Sequence, residues 1–222
     1  MAKQLPRQIE ALKQKILFVG TLVEEAIAKA ISALINRDRN LANVVLEADG
    51  EIDRMEVDVE EEVLKILALY QPVAADLRFV VAVLKINNDL ERMGDLAKNI
   101  AKRVMFLANA ERFDLPVDFR GMATRAQSMV KQSLDALVNS DPVLAQKVRE
   151  ADDEVDALRR IIETQIEQQI AQHPDRTDCL MRLASVARHL ERISDMATNI
   201  AEDVIYMVEG EIVRHHRTIE PY

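Results

Sequence analysis

The sequence contains one acidic phrase twice. Residues 90–101 read LERMGDLAKNIA and residues 190–201 read LERISDMATNIA. In each copy a glutamate is followed one helical turn later by an aspartate and a further turn later by an asparagine, so the three side chains share one helix face. Carboxylate and amide oxygens are the ligands that hard cations such as Mg²⁺, Mn²⁺ or iron prefer. The six residues are Glu91, Asp95, Asn99, Glu191, Asp195 and Asn199.

A second acidic row precedes each phrase. In the first half it contains Asp49, Asp53, Glu56 and Glu60, spaced along one helix face. In the second half the matching positions hold Asp152, Asp156, Arg159 and Glu163, so an arginine replaces one carboxylate. Two adjacent antiparallel helices would bring the two rows of each half together.

The chemistry of these rows has several interpretations. Acids one turn apart repel and weaken a helix by roughly 0.2–0.5 kcal/mol. A bound cation would offset this repulsion, and so would pairing with the nearby Arg92 and Arg192. The rows could also be an ordinary solvated surface, or a surface that docks on a basic partner. The spacing alone leaves these alternatives open.

Proline and turn residues divide the chain into six long helices. We predict helices from after Pro6 to about residue 35, from about 38 or 41 to 70, and from Pro72 to about 110. The second half is expected to contain helices over the segments 117–139, 142–171 and 176–208, after a linker at 112–118. Strand patterns are scarce, since aromatic residues make up 4% of the chain and it has only 5 glycines. The fold class is therefore predicted to be all-α.

The two halves repeat the same plan. Residues 32–53 resemble 135–156 at an offset of 103, and residues 90–107 are identical to 190–207 at 9 of 18 positions. A match across a whole helical hairpin indicates an internal duplication. The offset falls to 100 between these segments, which predicts a turn three residues shorter in the second half. We expect two tandem pseudo-symmetric three-helix bundles, 1–112 and 113–222; one continuous six-helix bundle is the alternative.

Charge and motif content exclude several classes of function. The net charge of −9 argues against nucleic acid as the main partner and against direct binding to an anionic membrane. The N-terminus has no apolar signal segment and Cys179 is the single cysteine, so a cytoplasmic location is expected. No phosphate-binding loop or catalytic serine motif occurs, and the histidines His173 and His189 have the pattern of surface residues. The chain is therefore predicted not to be an enzyme, and Gly94 is interpreted as a site of close helix packing.

These segments resemble a known family. QPVAADLR (71–78), LERMGDLAKNIAKR (90–103) and LERISDMATNI (190–200) are similar to the signature segments of the PhoU family of phosphate-specific transport accessory proteins. The resemblance implies a cytoplasmic, all-helical and often dimeric protein. Such a protein couples the phosphate ABC transporter ATPase to the phosphate sensor histidine kinase and represses the phosphate regulon when phosphate is plentiful. It meets the membrane only through these partners.

The resemblance also implies metal sites. Some family members bind multinuclear metal clusters, iron among them, on acidic motifs of their outer helix faces, and Mn, Mg or Zn are further candidates. A carboxylate-rich metal-binding or metal-storage protein is therefore the alternative function. Carried onto this chain, the candidate metal ligands are Glu91, Asp95, Asp49, Asp53, Glu191, Asp195, Asp152 and Asp156.

Overall fold

The described residues are helical almost throughout. The computed structural model describes residues 4–110 and 118–210. The helices are α1 (Leu5–Asn36), α2 (Arg39–Tyr70), α3 (Ala74–Leu107), α4 (Phe119–Asn139), α5 (Pro142–Gln172) and α6 (Thr177–Glu209), with a short 3₁₀ turn at Pro174–Arg176. The all-α prediction is confirmed, and the predicted helix ends lie within a few residues of the observed ones. Most of the expected linker, and with it the boundary at 112/113, lies outside the described residues.

The caps of the helices show the internal repeat at atomic detail. Arg37 and Ser140, which are equivalent in the two halves, both adopt the left-handed conformation that ends a helix. The next residues, Asp38 and Asp141, each accept hydrogen bonds from the first backbone N–H groups of the following helix. A carboxylate at this position satisfies donors that have no partner inside the helix. The same local sequence therefore builds the same corner twice.

The second connection in each half differs from the prediction. Residues 71–73 separate α2 from α3, whereas residues 173–176 separate α5 from α6. The predicted shorter turn is wrong, because the second-half connection is one residue longer. The second half is shorter by three residues because its helices are shorter at this connection. Helix α5 ends, and α6 begins, at positions whose first-half equivalents still lie inside α2 and α3. Pro72 also precedes α3 rather than opening it, since α3 begins at Ala74.

The third helices each carry an apolar stripe that packs in the core. Twelve apolar side chains, six from each copy of the acidic phrase and its continuation, are at most 8% exposed. They are Met93, Leu96, Ala97, Ile100, Ala101, Val104, Ile193, Met196, Ala197, Ile200, Ala201 and Val204. The stripe leaves the polar row of each phrase directed away from the centre of the core.

Equivalent helices also pack against each other across the two halves. Helices α3 and α6 are antiparallel: Arg78 Nε donates to Met207 O (3.0 Å) at one end and Arg103 Nε to Ser185 Oγ (3.4 Å) at the other. Helices α1 and α4 make the second contact, where a Cβ atom on Gly20 would lie 2.5 Å from Leu134 Cδ1. The buried apolar residues form one continuous cluster, while, among the described helices, α2 and α5 contact only helices of their own halves.

Candidate functional site

The two acidic rows of the first half lie together, as predicted. Lys98 of α3 is bonded to the carboxylate of Asp49 on α2, and its Nζ also lies 3.6 Å from Asp95 Oδ1. Asp49 is only 8% exposed, whereas Asp95 is exposed. A lysine therefore connects the deepest acid of the α2 row to an outer acid of the α3 row.

Carboxylates outnumber the nearby cations around Glu91. Burial raises the pKa of Glu91, and the carboxylates of Asp95, Asp53 and Glu56 raise it further, while Arg92 lowers it. Burial also raises the pKa of Glu56, with Glu60 and Asp53 adding to the effect. These shifts mean that the carboxylates repel one another, which is the condition under which a bound cation is stabilising. We call Asp53, Glu56, Glu91 and Asp95 the acidic face.

The second half has an arginine on the equivalent surface, which pairs with two of its acids. Arg159 of α5 bridges Glu163 on the same helix (Nη1 to Oε2, 2.5 Å) and Glu191 on α6 (Nε to Oε1, 2.7 Å). Burial raises the pKa of Glu191, whereas Arg159 opposes that increase. Thr198 stands where the first half has Lys98, so the internal cation comes from the second helix instead of the third. The substitution at Glu56/Arg159 therefore makes the two surfaces electrostatically different.

The predicted arginine partners are not the ones that the structure uses. Arg92 pairs with Asp89 at 3.9 Å rather than with either acid of its phrase. Within the described residues no ion pair includes Arg192. An arginine one residue after the glutamate points about 100° away from it around the helix, which explains the difference. Lys98 and Arg159 satisfy the acids instead.

The candidate metal ligands are brought near one another without forming a ready site. Asp49 and Asp152 are buried at 8% exposure, Asp53 and Asp195 are exposed, and Asp156 is half-buried. In the described part of the chain, no three His, Cys, Asp or Glu side chains are arranged so that they could hold a metal ion. The first-half donors have the right chemistry for a hard cation, and binding one would require their side chains to turn toward each other.

His189 differs from its sequence interpretation. It is half-buried between α3 and α6 rather than a surface residue, and its Nε2 lies 3.2 Å from Ser185 Oγ. Burial lowers its pKa to about 4, with the positive charges of Arg103, Arg192 and Arg188 adding to the effect. Only the pairing of α3 with α6 places Arg103 there, so local sequence carried no signal for this environment.

The interpretation of Gly94 is confirmed. A Cβ atom at Gly94 would lie 3.0 Å from Ile52 Cδ1 and 3.3 Å from Ile52 Cγ2, so the absence of a side chain lets α2 and α3 approach closely. The glycine therefore lets α2, which carries one acidic row, pack closely against α3, which carries the other. Along the described helices, no segment combines the length and apolar character needed to cross a lipid bilayer.

Comparison with known proteins gives consistent matches. Residues 16–104 and 119–204 each match the PhoU domain. The chain is 41% identical over 217 residues to a protein of Aquifex aeolicus named phosphate-specific transport system accessory protein PhoU homolog, covering 98% of both chains. A protein of Clostridium acetobutylicum with the same name is 34% identical, with 92% of this chain and 94% of the relative covered.

Solved structures agree with these matches. The crystal structure of PhoU from Pseudomonas aeruginosa superposes with a TM-score of 0.89 at 36% identity, covering 93% of this chain and 99% of that one. The phosphate transport system regulatory protein PhoU from Streptococcus pneumoniae gives a TM-score of 0.84 at 28% identity, with 94% and 99% covered. The duplicated acidic phrase, the paired three-helix halves and these matches lead to one conclusion: the chain belongs to the PhoU family.

Proposed function

We propose that this protein is an accessory protein of a phosphate-specific transport system, which acts in the cytoplasm as a non-enzymatic regulator. The observation that carries the proposal is the end-to-end match to relatives that bear this name. In the proposed role the protein connects the phosphate ABC transporter ATPase to the phosphate sensor histidine kinase. It restrains phosphate uptake and represses the phosphate regulon when phosphate is plentiful.

A gene deletion tests this role. In phosphate-rich medium, the deletion strain should show derepressed alkaline phosphatase and altered phosphate uptake, and a plasmid copy should restore both. Unchanged uptake and unchanged phosphatase expression would rule the role out.

The acidic face is the surface that we propose for partner contacts. It presents several repelling carboxylates, which a basic partner surface would neutralise on docking. Charge reversal at Glu91 and Asp95 should therefore weaken capture of the ATPase or of the kinase in a pull-down with purified proteins. Charge reversal at Glu47 and Glu51 is the matched control, because these exposed acids have the same spacing on another face of α2. Equal capture by both variants would place the docking surface elsewhere.

A second proposed property is cation binding at the acidic face. Mutual repulsion among its carboxylates favours this property. In the second half, Arg159 opposes the repulsion that the neighbouring carboxylates exert on Glu191. We therefore expect saturable Mn²⁺, Fe or Mg²⁺ binding in the first half and weaker binding in the second. If cation binding is the main role, the protein would act as a carboxylate-rich metal-binding protein instead of an adaptor.

Reciprocal substitutions test the metal proposal. Glu56→Arg should abolish the first site, and Arg159→Glu should create a second one, as measured by calorimetry with Mn²⁺ and elemental analysis after purification without chelators. Wild-type protein without metal and without saturable binding would overturn the proposal, and so would equal stoichiometry in both variants. We also propose a homodimer, which light scattering on the purified chain would test.

A further inference from the structure

The antiparallel pair of α3 and α6 presents two equivalent surfaces, one on either side of its centre. One is a cleft of about 520 Å³ between the middle of α3 and the last third of α6. We call it the acidic cleft; the lining residues relevant here are Lys85, Asn88, Asp89, Arg92, Glu202 and Asp203. Because α3 and α6 are equivalent at an offset of 100, each of these positions has a counterpart on the other side of the centre of the helix pair.

The charges of the acidic cleft are balanced internally. Asp203 is 1% exposed and its Oδ1 lies 3.5 Å from Lys85 Nζ. Asp89 pairs with Arg92 at 3.9 Å, and Glu202 pairs with an arginine of α5 at 3.4 Å. Each acid of the cleft is therefore within ion-pair distance of a cation.

The counterpart surface has the opposite charge. Its residues, which we call the basic cluster, are Ser185, Arg188, His189, Arg192, Lys102 and Arg103. All three acids of the acidic cleft are replaced here, by a histidine, a lysine and an arginine. The cluster thus contains four permanent cations and no carboxylate, in a chain whose net charge is −9.

One hydrogen bond across the helix pair links the two sides of the basic cluster. Arg103 Nε donates to Ser185 Oγ at 3.4 Å, and the same hydroxyl lies 3.2 Å from His189 Nε2. The positive charges of Arg103, Arg188 and Arg192 all lower the pKa of His189, so each acts electrostatically on this imidazole. Within the described residues, no ion pair includes any of the four cations of the cluster.

We propose that the basic cluster binds a phosphoryl oxyanion, either free orthophosphate or a phosphate monoester. Several cations held close together without a counter-charge repel one another, and a multiply charged anion offsets that repulsion. Guanidinium groups present paired N–H donors that match the oxygens of phosphate, and the Ser185 hydroxyl adds a further donor. This inference is independent of the proposed function, because it is drawn from the α3–α6 contact alone.

A matched pair of variants tests the proposal. Arg192→Gln removes one cation of the basic cluster, and Arg92→Gln removes the equivalent arginine of the acidic cleft. Both residues are exposed and glutamine is a good helix former, so both variants should fold. Calorimetry with the full chain at low ionic strength would use orthophosphate and adenosine monophosphate as probes, with sulfate as the control for charge alone.

We expect saturable binding of a phosphate probe that Arg192→Gln weakens by about tenfold, as loss of one charged hydrogen bond implies, and that Arg92→Gln leaves unchanged. Tighter binding of orthophosphate identifies the free ion as ligand, and tighter binding of the monophosphate identifies an ester. The imidazole resonances of His189 should shift on binding in the wild-type protein. The proposal is overturned if neither phosphate binds saturably, if sulfate binds as tightly as both, or if the two variants lose affinity equally.

Discussion

Arg159 on α5 and Glu191 on α6 form an ion pair with Nε and Oε1 2.7 Å apart, whereas the equivalent residues of the first half are two glutamates. The two side chains therefore attract each other in the second half and repel each other in the first. In the first half, burial and neighbouring carboxylates, Glu56 among them, raise the pKa of Glu91. The two glutamates of the duplicated phrase should consequently respond to mutation with opposite sign.

Neutralising these two glutamates measures the difference. At pH 7, Glu191→Gln should lower the free energy of unfolding by about 0.5–1 kcal/mol, because it removes the partner of Arg159. Glu91→Gln should raise it by about 0.3 kcal/mol, because it removes like-charge repulsion. Urea unfolding at low and high salt provides the measurement, and salt should reduce both effects.

The effect at Glu91 also has a defined pH dependence. Because its folded pKa is raised, the folded state binds more protons than the unfolded chain between the two pKa values, and stability falls as pH rises through this range. The gain from Glu91→Gln should therefore vanish below the ordinary glutamate pKa. A gain that persists at pH 3 would show that charge is not its cause.

The packing of Gly94 against Ile52 predicts a coupling between α2 and α3. The second half has Ser194 and Val155 at the equivalent positions, so a larger residue on one helix accompanies a smaller one on the other. Gly94→Ser should destabilise the protein by about 1 kcal/mol, because overpacking of about 1–3 kcal/mol exceeds the gain in helix propensity. The double variant with Gly94→Ser and Ile52→Val should lose about 1 kcal/mol less stability than the sum of the losses of the two single variants.

Gly50 provides the control for this experiment. It lies on α2, and in the described part of the chain a Cβ atom placed on it would meet no atom within 4 Å beyond its chain neighbours and the backbone of its own helix. Gly50→Ala should therefore stabilise the protein by about 0.5–1 kcal/mol through helix propensity alone. Strictly additive effects of the Gly94 and Ile52 substitutions would contradict the packing explanation.

The environment of His189 predicts a loss of stability in mild acid. Its pKa is about 4 in the folded protein and near 6.5 when unfolded, so between these values the unfolded chain binds the extra proton. The stability of the wild-type protein should decrease as pH falls from about 6.5 to 4. The stability of the His189→Gln variant should decrease less steeply over the same range. Thermal unfolding across this range is the measurement, and parallel curves for the two proteins would contradict the prediction.

The repeated helix caps predict equal and independent effects. Asp38→Ala and Asp141→Ala each remove a carboxylate that accepts from the first backbone N–H groups of a helix. Each should cost about 1 kcal/mol, and the double variant should cost their sum to within about 0.5 kcal/mol, because in the described part of the chain the two capped helices, α2 and α5, make no contact with each other. Denaturant unfolding of the three variants tests this, and a strongly non-additive result would indicate that the corners are coupled.

Local features of the sequence predicted most of the fold. The helix boundaries and the acidic rows depend on residues within one or two turns of each other, where spacing and side-chain type decide the outcome. The duplication was visible as self-similarity at offsets of 103 and 100 residues. The facing acidic rows were also predictable, because a short connection forces consecutive helices to be antiparallel neighbours.

The sequence by itself thus determined the all-helical, duplicated architecture and the residues of the acidic rows. Only the tertiary structure decided which cations neutralise them, since Lys98 meets Asp49 across 49 residues of chain. The tertiary structure also placed Arg103 beside Ser185 and His189, because the halves join through α3 and α6 at contacts separated by 82 residues. Helical periodicity specifies which side chains share a face of one helix. The packing of the whole core decides which face of a neighbouring helix these side chains contact.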